Sequence, residues 1–197
     1  MSKEAAAELA RSGTLRAGIN LSNFLLVSGV KADGEPFGVA PDMAAAIAER
    51  LGVSIRYVTY KSPGALADMA GKDAWDIGLI GAEPERAKTI AFSKAYVEIE
   101  ATYLVPPGST IKTLDDVDRA GVRIASTARA AYDLWLSRNI KNAKLLHADS
   151  LDGAFELFAR EKLEALAGLR PKLISDQAKM AGSRVLDGCF ATVQQAI

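Results

Sequence analysis

The stretch Asp76-Ile77-Gly78-Leu79-Ile80-Gly81-Ala82-Glu83-Pro84-Glu85-Arg86 sets an apolar run, a glycine, a proline turn and an arginine end to end. Such a run bounded by turn residues reads as a buried strand. Arg86 then lies just beyond the strand's carboxyl end, the edge where open α/β sheets take ligands. A guanidinium suits a carboxylate there, because its planar fork meets two oxygens at once. The same spacing also suits a surface arginine on a first helical turn.

Working outward, Glu4 to Arg11 reads as a short helix, Thr14 to Ile19 as a strand and Asn20 to Pro36 as a loop. Pro41 to Leu51 predicts a helix begun at Asp42 and stopped by Gly52, with Met43, Ile47 and Leu51 as its apolar stripe. Val53 to Tyr60 alternates as a strand, and Gly64 to Ala70 reads as helical. Alternation of strands and helices implies parallel βαβ units. Val97 to Val105 is an apolar, β-prone run closed by Pro106-Pro107-Gly108, a natural boundary.

A second α/β pattern follows. Short helices or helices are expected at Leu114–Val117, Ala130–Arg138, Leu151–Arg160 and Pro171–Met180. Strands are expected at Val122–Ala125, Lys144–His147, Ala165–Leu169 and Ala191–Ile197. The expected domains are therefore 1–105 as a first lobe, 106–193 as a second, and 194–197 as a return crossover. Two lobes joined by crossovers form a hinge that closes on a ligand.

Composition narrows the function. The 197 residues are 49% hydrophobic, with 24 basic residues against 24 acidic ones, so no net field favours nucleic acid. The single cysteine, Cys189, excludes an intrachain disulfide, and it reads as a buried small hydrophobe. The single histidine, His147, excludes a His-rich metal site and reads as a strand-end surface residue. No nucleophile–base set or phosphate-binding glycine loop occurs. The acidic residues Asp115, Asp116 and Asp118, and Asp149 with Asp152, lack calcium-loop spacing and read as helix starts. Nothing calls for a cofactor. Met1 to Arg16 has no apolar core of a leader peptide. A periplasmic location is expected if a leader has been removed, and a cytoplasmic one otherwise.

Gly38-Val39-Ala40-Pro41-Asp42-Met43, the Pro84-Glu85-Arg86 turn, Phe92-Ser93 and Tyr96 together resemble the amino-acid type of solute-binding protein, family 3 of the bacterial periplasmic binding proteins. The resemblance runs from about Thr14 to Ile197. It implies a two-lobed, type II periplasmic-binding-protein-like α/β fold, and it implies that the C-terminal part of lobe 1 is missing. It implies a monomeric receptor for a small carboxylate or amino-acid-like ligand, bound between the lobes and delivered to an ABC transporter permease. Rival readings on the same scaffold are a cyclohexadienyl-dehydratase-like enzyme, with Glu83 as its general acid, and a ligand-sensing domain.

The resemblance also implies a set of ligand-binding residues. Arg86 grips a carboxylate; Gly81 offers backbone where relatives carry a hydroxyl; Glu83 orients Arg86 or rejects an acidic group. Asn20 ends the first strand, and Phe24 walls the ligand or packs in the core. Ser62 stands where several relatives carry an aromatic clamp. In the second lobe Thr127, Arg129, Ala130 and Ala131 form a strand–turn–helix start with outward backbone N–H groups. Leu169 stands where relatives that bind α-amino acids carry an acid, and Arg170 follows it as a further positive charge. A carboxylate without an ammonium is therefore the expected ligand, since a buried unpaired ammonium costs on the order of 2–5 kcal/mol.

Overall fold

The computed structural model describes residues 3–10 and 12–197. It divides into two compact units, Met1–Tyr96 with Gln195–Ile197, and Val97–Gln194.

In the first unit, helix α1 (Lys3–Leu9) precedes strand β1 (Thr14–Asn20). A small hairpin, β2 (Gly29–Val30) and β3 (Pro36–Phe37), interrupts the expected loop; strands of two residues leave no periodic signal in a sequence. Then follow α2 (Val39–Leu51), β4 (Ser54–Tyr60), α3 (Pro63–Ala67) and β5 (Ile77–Gly81). β1 is the centre of a parallel trio, paired with β4 on one side and β5 on the other. Every residue of β5 is buried, which explains its unbroken apolar run. At the strand starts Asp76 fastens the sheet: its carboxylate takes Arg16 Nη2 at 2.7 Å and the Arg16 amide at 2.7 Å.

Helix α2 starts two residues earlier than the sequence suggests. Its buried stripe is Ala40, Ala44, Ala48 and Leu51, with Met43 and Ile47 only half-buried. Alanines let the helix lie close, and the bulkier side chains flank the contact. Gly38 precedes it at φ 129°, where a Cβ would meet Ser28 N at 2.7 Å and Leu26 O at 2.8 Å. Gly52 ends it in the left-handed region, its amide shared by Ala48 and Glu49 carbonyls.

The second unit contains β6 (Val97–Val105), β7 (Arg123–Thr127), α4 (Ala131–Asn139), β8 (Lys144–Ala148), α5 (Leu151–Arg160), β9 (Ala165–Leu169), α6 (Arg170–Gln177) and β10 (Arg184–Val185). A 3-10 turn, Leu114–Asp116, follows β6. Strand order is β6-β9-β7-β8, with β10 antiparallel on β6. The expected boundary at Val105 is corrected here. β6 belongs to the second unit, because it pairs with β9 from Ala101↔Leu169 to Leu104↔Leu166. Strand β11 (Ala191–Ala196) begins in this unit, and its last residues pair with β5 as Gln195↔Gly81 and Ala196↔Ile80.

Two apolar clusters fill the second unit. One gathers Tyr103, Ile124, Tyr132, Leu136 and Leu186 beneath α4; the other gathers Leu104, Phe158, Leu163, Leu166 and Leu173 beneath α5 and α6.

Candidate functional site

Parallel pairing carries the carboxyl ends of β4, β1 and β5 to one edge of the first unit, with Asn20 level with Tyr60. The loops that follow hold Ser62, Asn20 to Phe24, and Gly81 to Arg86. Residues far apart in sequence therefore share one sheet edge.

Arg86 is buried, at 6% exposure, and opens a 3-10 turn, Arg86–Lys88. Its Nη1 donates to the Gly81 carbonyl at 2.7 Å, which fixes the guanidinium against the end of β5. Glu83 is buried beside it in sequence, and its Oε2 accepts the Glu85 amide at 2.8 Å. That bond braces the turn that presents Arg86. Asn20 is buried; its Oδ1 accepts the amide of Ser22 at 3.2 Å and the hydroxyl of Ser22 at 2.8 Å. Phe24 is 43% exposed, so it is not a core aromatic. Ser62 caps α3, its hydroxyl accepting the Ala65 amide at 3.2 Å, and the serine has that local work to do in place of a clamp.

Three residues outside the expected set join this edge. Gln195 is buried opposite Gly81, its Oε1 accepts Asn23 Nδ2 at 3.4 Å, and its carbonyl accepts the Tyr96 amide at 2.9 Å. The Oδ1 of Asn23 and the hydroxyl of Tyr96 are buried without a hydrogen-bond partner among the described residues. Burial pushes the Tyr96 phenol up to about 12, so it stays a neutral donor. The polar pair Gln194-Gln195 inside a β-prone run was the available signal for Gln195.

In the second unit the carboxyl ends of β7, β8 and β9 lie together, each followed by the start of a helix. Thr127 is buried, and its hydroxyl reaches the Ser150 carbonyl at 3.5 Å. Arg129 adopts φ 60°, the left-handed turn for which a glycine carries no steric penalty. The turn is not the open anion cradle that the sequence suggested. The Ala128 amide donates to Ala148, the Ala130 amide to Thr127, and the Arg129 amide to Asp133 Oδ2 at 2.8 Å. Asp133, on the first turn of α4 and 3% exposed, is the chain's own anion there. Its Oδ1 lies 3.0 Å from His147 Nε2, which gives the lone histidine a defined partner.

Arg170 is likewise corrected. Its Nε donates to Glu100 at 2.6 Å, Nη1 to the Leu186 carbonyl at 3.1 Å and Nη2 to the Gly188 carbonyl at 2.5 Å. It ties α6 to the segment before β11. Leu169 packs against the cluster beneath α4, so the position of the expected acid is apolar. Lys172 also escaped notice. It is buried, with its ammonium 2.6 Å from Asp176 and 3.1 Å from Asp152, and its Lys-x-x-x-Asp spacing was the only signal.

The sequence profile of the bacterial extracellular solute-binding proteins, family 3, matches residues 15–185. The chain belongs to that family. Members of the family are solute-binding proteins, and this chain has the periplasmic-binding-protein-like fold. Holo ArgBP of T. maritima is 24% identical at a TM-score of 0.75, over 96% of this chain and 83% of that one. A putative binding component of an ABC transporter from Wolinella succinogenes, complexed with lysine, is 20% identical at 0.76, over 94% and 81%. The ancestral amino acid-binding protein AncCDT-1, a precursor of cyclohexadienyl dehydratase, is 23% identical at 0.75, over 98% and 84%. These likenesses carry the fold alone. No curated protein matches the chain. No helix among the described residues is long and apolar enough to cross a membrane.

Proposed function

We propose that this family 3 protein binds a small carboxylate that lacks an α-ammonium, and passes it unchanged to an ABC transporter permease on the extracytoplasmic side. The observation that carries this reading is Arg86, a buried guanidinium fixed by the Gly81 carbonyl at the ligand-bearing edge of the first unit's sheet. A pre-oriented guanidinium loses little freedom when a carboxylate meets it. The ligand class rests on Leu169, whose half-buried side chain packs against the apolar cluster beneath α4 where an ammonium would need an acid. Arg170 adds no support, since its guanidinium holds Glu100 and two carbonyls.

Binding without turnover is favoured by Glu83. As general acid it would need to hand a proton to the ligand. Its Oε2 is instead engaged within its own turn, where it accepts the Glu85 amide at 2.8 Å. Asn20, Phe24, Gly81 and Gln195 complete the proposed lining in the first unit.

A thermal-shift screen tests the reading. The probes are small mono- and dicarboxylates, aromatic carboxylates and the twenty standard amino acids. A ligand at about 100 times its Kd stabilises the folded form by ~2.7 kcal/mol. The expected hits are carboxylates without an α-ammonium. If ordinary α-amino acids give the largest shifts, the assignment of ligand class falls.

A further inference from the structure

We propose that the second unit carries a second, separate pocket, selective for a small organic cation with an aromatic or apolar body. The pocket measures about 420 Å³ and is lined by Tyr103, Trp135, Phe190, Asp115, Asp118 and Cys189, among others. That volume falls within the roughly 300–1,000 Å³ of small-molecule sites. It lies along the C-terminal half of α4, which ends at Asn139, whereas Ala130 and Ala131, read from the sequence as ligand contacts, lie at the helix's other end. A nine-residue helix is about 13 Å long, so the two places are distinct.

The lining chemistry selects the ligand. Phe190 sits at the centre of an aromatic row, its ring centroid 4.6 Å from Tyr103 and 5.2 Å from Trp135. Trp135 and Phe190 are half-buried, so part of their surface is open to an occupant. Aromatic faces carry negative potential and attract cations. Among the described residues no lysine, arginine or histidine lines the pocket, while two aspartates do. Asp118 accepts the amides of Asn142 at 2.7 Å, Ala143 at 2.9 Å and Lys141 at 3.0 Å. Burial pulls that carboxyl upward, but the three amides and the Lys141 charge outweigh it, so it titrates below the usual range and stays ionised. Burial, with Asp118 adding to it, raises the Tyr103 phenol, which therefore contributes no competing anion. Asp115 is exposed. Rings and fixed negative charge without a lining cation repel a carboxylate and favour an organic ammonium.

Cys189 supplies a readout, because it is the only cysteine in the chain and lines the pocket. The full chain is alkylated with iodoacetamide and followed by intact mass, in the presence of benzyltrimethylammonium, benzyl alcohol or phenylacetate. Benzyltrimethylammonium is expected to slow alkylation saturably, at concentrations about tenfold below benzyl alcohol, with phenylacetate giving no protection. Asp115→Asn, a change at an exposed position, is expected to raise the half-protecting concentration of the cation by about threefold. Arg86→Ala is expected to leave protection unchanged, which separates this pocket from the carboxylate site. Equal protection by all three probes, no protection by the cation, or indifference to Asp115→Asn would overturn the proposal.

Discussion

The carboxylate of Asp133 accepts the backbone amide of Arg129 across 2.8 Å, from the first turn of α4 back into the turn that precedes it. Arg129 is left-handed there, at φ 60°, so the bond holds a conformation that an arginine disfavours. Asp133→Ala is expected to cost about 1 kcal/mol of stability, from a lost bond to the backbone amide at a helix start. Asp133→Asn should cost less, because its carbonyl oxygen still accepts. Urea denaturation of both variants checks the order; equal stability of Asp133→Ala and wild type would show that the turn holds without the carboxylate.

Gly38 faces a different constraint. Its φ of 129° and the backbone atoms of Leu26 and Ser28 leave no room for a Cβ. Gly38→Ala should destabilise by at least ~2 kcal/mol, since neither neighbour is a side chain able to swing aside. A melting temperature within a degree of wild type would contradict this.

Arg170 is assigned a structural task, so its removal should separate stability from binding. Arg170→Ala is expected to lower stability by ~1–2 kcal/mol through loss of the bonds to Glu100, Leu186 and Gly188. The Kd for the best carboxylate of the screen should stay within about twofold. A tenfold loss of affinity without loss of stability would return Arg170 to the binding site.

How much of this was legible in the sequence follows from physical range. β5, β6 and β9 announced themselves because burial on both faces is written locally as an apolar run. The two-residue strands β2, β3 and β10 carry no period and went unread. The fate of Arg170 depended on Glu100 and Gly188, 70 and 18 residues away, and the closing of the Arg129 turn depended on which way Asp133 turned. Gln195 became part of the Gly81 edge only through antiparallel pairing across more than a hundred residues. Local pattern gave the elements; the partners of charged side chains needed the fold.

One pH effect follows from Glu164. Arg123 grips it through Nε at 2.9 Å and Nη2 at 2.8 Å, and the Arg123 amide adds a third bond at 2.8 Å. The Arg123 side chain is the main cause holding the Glu164 carboxyl below its usual range, against a smaller effect of burial. A carboxyl depressed in the folded state contributes stability above its unfolded pKa of ~4.3, and loses it as pH falls through the folded value. Both partners are a third or more exposed, so solvent screening keeps the contribution of the pair small. Glu164→Gln should therefore be less stable than wild type at pH 7, with the gap closing below pH ~4. A gap that persists or widens in acid would contradict the assignment.

The central claim is that Arg86 holds a ligand carboxylate from the edge of β5. Titration calorimetry of the best carboxylate from the thermal screen, against wild type and Arg86→Ala, tests it most directly. Loss of a desolvated, charge-assisted pair costs ~2–4 kcal/mol, which is roughly a 30- to 1,000-fold rise in Kd. Urea denaturation of the same variant must show that it remains folded at the temperature of the titration. A folded Arg86→Ala protein that binds the carboxylate with the wild-type Kd would contradict the account.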